Sequence, residues 1–139
     1  MLSICLISSA DELVFLKDPV DNTKQYPFSK TTQVGNLLFL SRELGVDPKT
    51  GKLVEDGIVP ETKQLMKNIS TTLEKYNSSL NRVTKCTVFL EDIKDWPKVS
   101  DIYRSFYKEN YPTRSTMAVN GLGLDAQLEV ECIAVVNDF

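Results

Sequence analysis

The feature that most restricts how this chain can fold is its last apolar segment, residues 128–136. Its residues alternate between the two faces of a strand, with Leu128, Val130, Cys132, Ala134 and Val136 on one face and Glu129, Glu131, Ile133 and Val135 on the other. Because Ile133 and Val135 share their face with two carboxylates, we expect that face to be covered, which requires partners for the charges. A lysine or arginine at a sheet edge or a subunit contact is one such partner.

Other segments also have the pattern of strands. Residues 28–34 and 37–41 flank Gly35-Asn36, a turn pair that predicts a β-hairpin. Residues 12–16 fit an edge strand before this hairpin, and Asp47 to Gly51 has proline and glycine in turn-forming positions. Residues 83–90 are rich in β-branched side chains with a period of two, which indicates another strand.

Two segments predict helices. Residues 60–78 begin with a proline suited to a first turn and have helically spaced apolar residues, Leu65, Met66, Ile69, Leu73 and Tyr76. A second helix follows Asp95 as its cap, with Pro97 in the first turn and an apolar stripe of Trp96, Val99, Tyr103 and Phe106. This spacing is that of one buried helix face, so we predict that the aromatic rings belong to the core.

The order of these elements predicts an α+β fold with a single sheet and two helices on one face. The length of the chain suggests one domain over residues 1–139, in which residues 1–26 give the weakest pattern. Two helices cover only one face of such a sheet. Since the other face keeps apolar residues, we expect association with other chains.

The composition narrows the chemistry that the chain can perform. Its net charge of −3 and pI near 5.0 argue against general nucleic-acid binding, which needs a basic face. The sequence contains no histidine, which removes Ser-His and Cys-His nucleophiles, histidine bases and histidine metal sites. Any reaction must therefore use arginine, lysine, carboxylates, tyrosine, hydroxyls or backbone groups.

The cysteines are three, lie far apart and form no CxxC pair, so we predict neither a disulfide framework nor a zinc site. Cys86 and Cys132 fall within strand patterns and are expected to be core residues in a reducing environment. The apolar run at residues 2–7 lacks a basic flank and is too short to span a membrane. We expect a cytoplasmic location, with the mitochondrion as the alternative.

One arginine follows the second predicted helix, in the stretch Tyr111-Pro112-Thr113-Arg114-Ser115-Thr116. Pro112 disfavours the helical conformation in the residue before it and predicts a strand from about Arg114. An arginine at the first residue of a strand can direct a fixed fork of donors at a carboxylate or a phosphate. A salt bridge at the rim of the protein is the alternative.

Several motifs occur in the order typical of the RidA/YjgF family, which this chain resembles from about Pro27 to Val136. Members of that family are imine/enamine deaminases that have also been labelled L-PSP endoribonucleases. The motifs are Gly35-Asn36, Ser41, Pro48-Lys49-Thr50-Gly51, the strand at residues 84–92, Pro112-Thr113-Arg114-Ser115 and the Glu-x-Glu strand at residues 128–134.

The resemblance implies a chorismate-mutase-like fold and a homotrimer with clefts between its subunits. It also implies hydrolysis of 2-imino and enamine acids, such as 2-iminobutanoate and 2-iminopropanoate, to 2-keto acids and ammonia, with neither cofactor nor metal. Arg114 matches the arginine that holds the substrate carboxylate, and Glu129 matches the carboxylate associated with the attacking water. Thr116 and Ser41 match two further positions of the binding pocket.

Two positions depart from the family pattern. Phe28 stands where a tyrosine is usual, so a phenolic hydroxyl is lost. Arg42 replaces the glycine that usually follows Ser41, where it fills the pocket, adds a second anion contact or alters the choice of substrate. These departures motivate the alternative of a ligand-binding or regulatory trimer without catalysis. A ribonuclease is a third alternative, which the acidic pI and the missing histidines oppose.

Overall fold

The computed structural model describes residues 12–17 and 26–137 of the chain. The described elements are β1 (Leu13–Leu16), β2 (Thr31–Val34), β3 (Leu37–Leu40), β4 (Val46–Asp47), β5 (Lys52–Leu53), α1 (Ile58–Lys75), β6 (Val83–Leu90), α2 (Trp96–Ser105), β7 (Thr113–Ala118) and β8 (Leu128–Val135). The apolar run at residues 2–7 and most of the weakly patterned N-terminal segment lie outside the described residues.

The main sheet has six strands in the order β1-β2-β3-β8-β6-β7. Its neighbours are antiparallel except β6 and β7, which run parallel. The predicted α+β class is confirmed, but the prediction of a single sheet was wrong, because β4 and β5 form a separate two-stranded hairpin. The predicted turn over Asp47–Gly51 connects its two strands.

The core lies between the two helices and one face of the main sheet. Leu65 and Ile69 of α1 and Val99 of α2 belong to the same buried cluster as Val88 and Val130, from the middle strands. Apolar residues at helical spacing on α1 therefore meet apolar residues at strand spacing on β6 and β8, as the two sequence periods require. The placement of both helices on one face agrees with the prediction.

Helix α1 begins two residues before the predicted start, so that Pro60 still lies in its first turn. It ends at Lys75 rather than at residue 78, because Asn77 takes the left-handed conformation (φ 57°) that terminates helices. The first strand of the predicted hairpin is also shorter. It begins at Thr31, and Phe28 lies before it in a bend.

Helix α2 differs from the prediction at its first turn. Asp95 precedes the helix but makes no capping hydrogen bond, and its carboxylate instead lies 3.2 Å from the Lys98 ammonium. Val99 and Tyr103 are buried as predicted, whereas Trp96 is 43% exposed. Placing Trp96 in the core was wrong: it is the first residue of the helix, and the buried residues of α2 lie one and two turns later.

Two neighbouring strands of the main sheet carry the described cysteines. Cys86 of β6 lies directly opposite Cys132 of β8, and both are buried, which confirms them as core residues. Their sulfur atoms are bonded, so the prediction of no disulfide was wrong. The two cysteines are separated by 46 residues of sequence, and only the antiparallel pairing of β6 with β8 brings them together.

The second face of the main sheet is not covered by either helix. Apolar side chains remain exposed on it, including Leu37 and Phe39 of β3 and Met117 of β7. No helix among the described residues is both long enough and apolar enough to cross a membrane. An exposed apolar face of this kind is typical of a surface that another chain covers.

Candidate active site

Arg114 lies at the edge of the main sheet, on the side that faces the helices. Its strand, β7, pairs with β6 so that Arg114 is next to the buried Cys86. The guanidinium carbon lies 4.9 Å from the centre of the Tyr103 ring, and Nη2 donates a hydrogen bond to Ser100 Oγ at 3.0 Å. Both partners belong to α2, so the helix holds the guanidinium at a half-buried position.

No carboxylate of the described chain forms an ion pair with Arg114. The alternative of a salt bridge at the rim is therefore wrong for this part of the protein. A guanidinium that packs on an aromatic face and a hydroxyl keeps its charge available for an external anion.

The ring beneath Arg114 is an uncharged phenol. Burial raises the pKa of Tyr103 and also that of Tyr107, whose ring centre lies 4.9 Å from the Tyr103 ring centre. Both hydroxyls therefore stay protonated at neutral pH. The Tyr103 ring therefore offers Arg114 an electron-rich face without a negative charge that would compete with an external anion.

Glu129 is buried on the opposite face of the sheet, where both of its carboxylate oxygens have partners. Oε1 accepts a hydrogen bond from the backbone N–H of Gly123 at 3.0 Å. Oε2 lies 3.0 Å from Arg42 Nη1. A side chain at position 123 would place its Cβ only 3.3 Å from Oε1, so glycine allows this close approach. The carboxylate is thus fixed in position by two partners.

Arg42 points toward Glu129. Its guanidinium carbon also lies 5.3 Å from the centre of the Phe89 ring, and its side chain is 53% exposed. The side chain that replaces the usual glycine therefore pairs with the carboxylate next to the predicted attacking water. Neither Phe89 nor Gly123 stood out in the sequence as a site residue.

The structure places the other predicted pocket residues, Ser41, Thr116 and Phe28, in three different surroundings. Ser41 donates a hydrogen bond from Oγ to the carbonyl of Ser29 at 2.7 Å, and it borders a cavity of about 310 Å³ on the uncovered face. The remaining lining residues of this cavity are Ser29, Thr32, Phe39, Leu40, Lys85, Thr87, Glu131, Cys132 and Ile133. Thr116 follows Arg114 by two residues and shares its side of β7. Phe28 is exposed beside Tyr26, with ring centres 5.2 Å apart.

The structure does not bring Arg114 and Glu129 together within one chain. Cys86, the neighbour of Arg114, faces the core, whereas Phe89, the neighbour of Glu129, faces away from it. Residues 86 and 89 are also separated by about 10 Å along their strand. A site that contains both Arg114 and Glu129 would therefore need a second copy of the chain.

Glu61 is a buried acidic residue that the sequence interpretation missed. Its Oε1 accepts hydrogen bonds from the backbone N–H groups of Gln127 at 2.9 Å and Leu128 at 3.4 Å. Burial raises the pKa of this carboxyl. The contact anchors the start of β8, one residue before Glu129. Its position four residues before Leu65 could have shown that it lies on the buried side of α1.

In the described part of the chain, no cluster of three or more acidic or thiol side chains could hold a metal ion. The groups available for chemistry at the predicted site include two guanidiniums, the Glu129 carboxylate, hydroxyls and backbone amides. Such a set can bind a carboxylate and orient a water molecule.

Comparisons with known proteins agree on one family. A profile of the endoribonuclease L-PSP family matches residues 21–136. A RutC family protein of Pyrococcus horikoshii is 38% identical over 108 residues, which is 78% of this chain and 86% of that protein. The 2-iminobutanoate/2-iminopropanoate deaminase of Mus musculus is 35% identical over 113 residues, or 81% and 84% of the two chains.

A solved structure gives the same result. The crystal structure of E. coli TdcF with bound serine has a TM-score of 0.75 and 29% sequence identity to this chain. The match covers 80% of this chain and 89% of TdcF. The similarity therefore extends over most of the fold as well as most of the sequence.

Proposed function

The chain belongs to the endoribonuclease L-PSP family, also known as RidA/YjgF, and we propose that it hydrolyses 2-imino acids to 2-keto acids and ammonia. In this proposal, Arg114 holds the carboxylate of a substrate such as 2-iminobutanoate or 2-iminopropanoate. Glu129 orients the attacking water. Relatives that are 34–35% identical to this chain carry the name of this deaminase, which supports the reaction class.

The observation that supports the proposal most strongly is the set of contacts that Arg114 makes. Its guanidinium has no carboxylate partner in the described chain, and it rests on Tyr103 and Ser100. Such a half-buried cation is prepared for a small carboxylate. The serine bound in TdcF, a small molecule with a carboxylate, is consistent with this class of ligand.

We propose that the site is completed by a second copy of the chain within a homotrimer. Arg114 and Glu129 face opposite sides of one sheet, so the cleft would take each from a different subunit. The exposed apolar residues of the uncovered face, Leu37, Phe39 and Met117, give a second copy a surface to cover.

The chemical steps need few groups. Arg114 fixes the substrate carboxylate, which places the adjacent C=N carbon. Glu129 accepts a proton from a water molecule as the water oxygen forms its bond to that carbon. That proton passes to the nitrogen, which gives a carbinolamine with one hydroxyl and one amino group on the same carbon. The hydroxyl proton then also passes to the nitrogen as the C–N bond breaks, so that ammonia leaves and the C=O group of the keto acid forms. No electron is exchanged with any other reactant.

An assay with a threonine dehydratase, which generates 2-iminobutanoate, tests this reaction. We expect the protein to accelerate the release of 2-ketobutyrate above the spontaneous rate. Arg114→Ala should lower kcat/KM by about 10- to 150-fold, the equivalent of a charge-assisted contact of about 1.5–3 kcal/mol.

Arg104→Ala is the matched control for that assay. Arg104 is an exposed arginine of α2 whose side chain pairs with Asp101 at 3.1 Å and not with Arg114, so it tests whether a neighbouring charge alone explains the loss. It should leave the rate unchanged. Absence of any acceleration by the unmodified protein would refute the proposed reaction.

The contact between Arg42 and Glu129 favours a second candidate function. Since both oxygens of Glu129 are occupied, the protein could bind 2-keto acids in the same cleft without catalysing hydrolysis. Calorimetry with 2-ketobutyrate separates the two. Binding without turnover supports a ligand-binding trimer, and binding with turnover supports the deaminase.

A further inference from the structure

Arg42 is held at the site by the backbone as well as by its ion pair. The next residue, Glu43, forms a bridge with Val130, in which Glu43 N–H donates to the Val130 carbonyl at 2.8 Å and Val130 N–H donates back at 3.2 Å. Val130 directly follows Glu129 in β8. This bridge fixes the backbone on both sides of the Arg42–Glu129 contact, so the guanidinium stays beside the carboxylate.

Most of the hydrogen-bonding capacity of Arg42 is unused. Its contact with Glu129 is made by Nη1 alone, at 3.0 Å, and the ring of Phe89 lies against the guanidinium without accepting a conventional hydrogen bond. Its Nε and Nη2 have no partner among the residues that the structure describes. The side chain is 53% exposed in the single chain. Nε and Nη2 of a guanidinium form an open fork that can bind a carboxylate through two parallel hydrogen bonds.

We propose that Arg42 binds a second carboxylate, carried by the side chain of the substrate, and that the preferred substrates are 2-imino dicarboxylic acids. This inference rests on the proposed function. The guanidinium bridges two anions, with Nη1 on Glu129 and the open fork on the substrate. Arg114 holds the carboxylate next to the imine, as it does for any 2-imino acid.

A monocarboxylic substrate leaves the open fork of Arg42 without a partner. A substrate with a distal carboxylate gains a charge-assisted contact at that fork, which is stronger than a neutral hydrogen bond. Competition for Arg42 also weakens its hold on Glu129 Oε2, which leaves that oxygen freer to accept a proton from water. Both effects favour the dicarboxylate.

Binding of stable keto acids tests the preference without turnover. By calorimetry, we expect the unmodified protein to bind 2-ketoglutarate at least about 10-fold more tightly than 2-ketobutyrate. Arg42→Gln should reduce this ratio to about one. Arg104→Gln, which removes another exposed and paired arginine (63% exposed against 53% for Arg42), should leave the ratio unchanged. 2-Ketopentanoate has the same number of carbon atoms as 2-ketoglutarate but no distal carboxylate, and it should lose the advantage.

Turnover separates this inference from the proposed function. An L-amino-acid oxidase supplies the imines of L-glutamate and of L-2-aminobutyrate for a comparison of kcat/KM. Hydrolysis of both imines with no preference for 2-ketoglutarate in binding would overturn the role of Arg42 and leave the deaminase standing. Preference in binding without hydrolysis of either imine would support the role of Arg42 and refute the deaminase. A binding ratio that Arg42→Gln does not change also overturns the role of Arg42.

Discussion

Two arginines of this protein lie on opposite faces of one sheet and differ in their partners. Arg114 rests on the Tyr103 ring and Ser100 with no carboxylate partner among the described residues, whereas Arg42 is paired with Glu129. The same type of side chain thus lacks an acidic partner on one face and supports a buried acid on the other. The comparison shows that the partners set by the fold, and not the residue type, decide what each arginine can do.

The difference arises from the elements that lie beside each arginine. Arg114 follows Pro112 into an edge strand beside α2, whose inward residues are an aromatic ring and a small hydroxyl. Arg42 precedes the bridge between Glu43 and Val130, and that bridge brings it to the strand that carries Glu129. The partners of each arginine, neutral for Arg114 and acidic for Arg42, therefore come from residues that are distant in sequence.

The largest expected effect comes from mixing chains that lack Arg114 with chains that lack Glu129. If Arg114 and Glu129 of different subunits form one cleft, two inactive variants should restore each other. Arg114→Ala and Glu129→Gln chains, unfolded together at equal concentration and refolded, should regain about one quarter of the unmodified activity. In random trimers, about one cleft in four then receives both intact residues.

Refolding each variant by itself is the control for this mixing experiment, and it should yield almost no activity. Recovery in the mixture identifies a cleft shared between chains. If the mixture stays as inactive as its components while size measurements show mixed trimers, the two residues do not act in one intersubunit site.

Much of the fold could be predicted from the sequence, and so could the candidate role of Arg114. Helical spacing around Leu65 and Ile69 and alternation in residues 128–135 located the elements, because burial repeats with the period of each structure. The Pro112–Ser115 motif identified Arg114 as a candidate anchor. The partners of Arg42 could not be predicted, since they depend on the pairing of Glu43 with Val130 across 87 positions of the chain. The same holds for the bond between Cys86 and Cys132.

Glu61 offers an intermediate effect, at the start of the strand that carries Glu129. Glu61→Ala should lower the free energy of unfolding by about 1–3 kcal/mol for each of the two backbone N–H groups that lose their acceptor. Glu61→Gln keeps an acceptor oxygen and removes the buried charge, so it should be at least as stable as the unmodified protein at neutral pH. Urea unfolding of the three proteins measures both differences, and equal losses in the two variants would contradict this role.

The pH dependence of Glu61 has a definite sign. Burial raises the pKa of the native carboxyl above its ordinary value of 4.5, so the native state binds the proton more tightly than the unfolded state does. The resulting stabilisation is complete below pH 4.5 and is lost as the pH rises through the native pKa. Relative to Glu61→Gln, the unmodified protein should therefore gain stability between pH 8 and pH 4.5. A loss over that range would show that the carboxyl is stabilised as an anion.

Substitution of Ser100 should give the smallest effect, and it tests the hydrogen bond that positions the Arg114 guanidinium. Ser100→Ala removes one hydrogen bond to Nη2 and leaves the Tyr103 ring in place. A single hydrogen bond contributes about 0.5–1.5 kcal/mol, so KM should rise by about 2- to 10-fold. Because Ser100 positions the arginine that holds the substrate carboxylate and does not touch the reacting carbon, kcat should change little.

Ser100→Thr, which keeps the hydroxyl, should recover most of the affinity. A fall in kcat with an unchanged KM would instead place Ser100 in the chemical step.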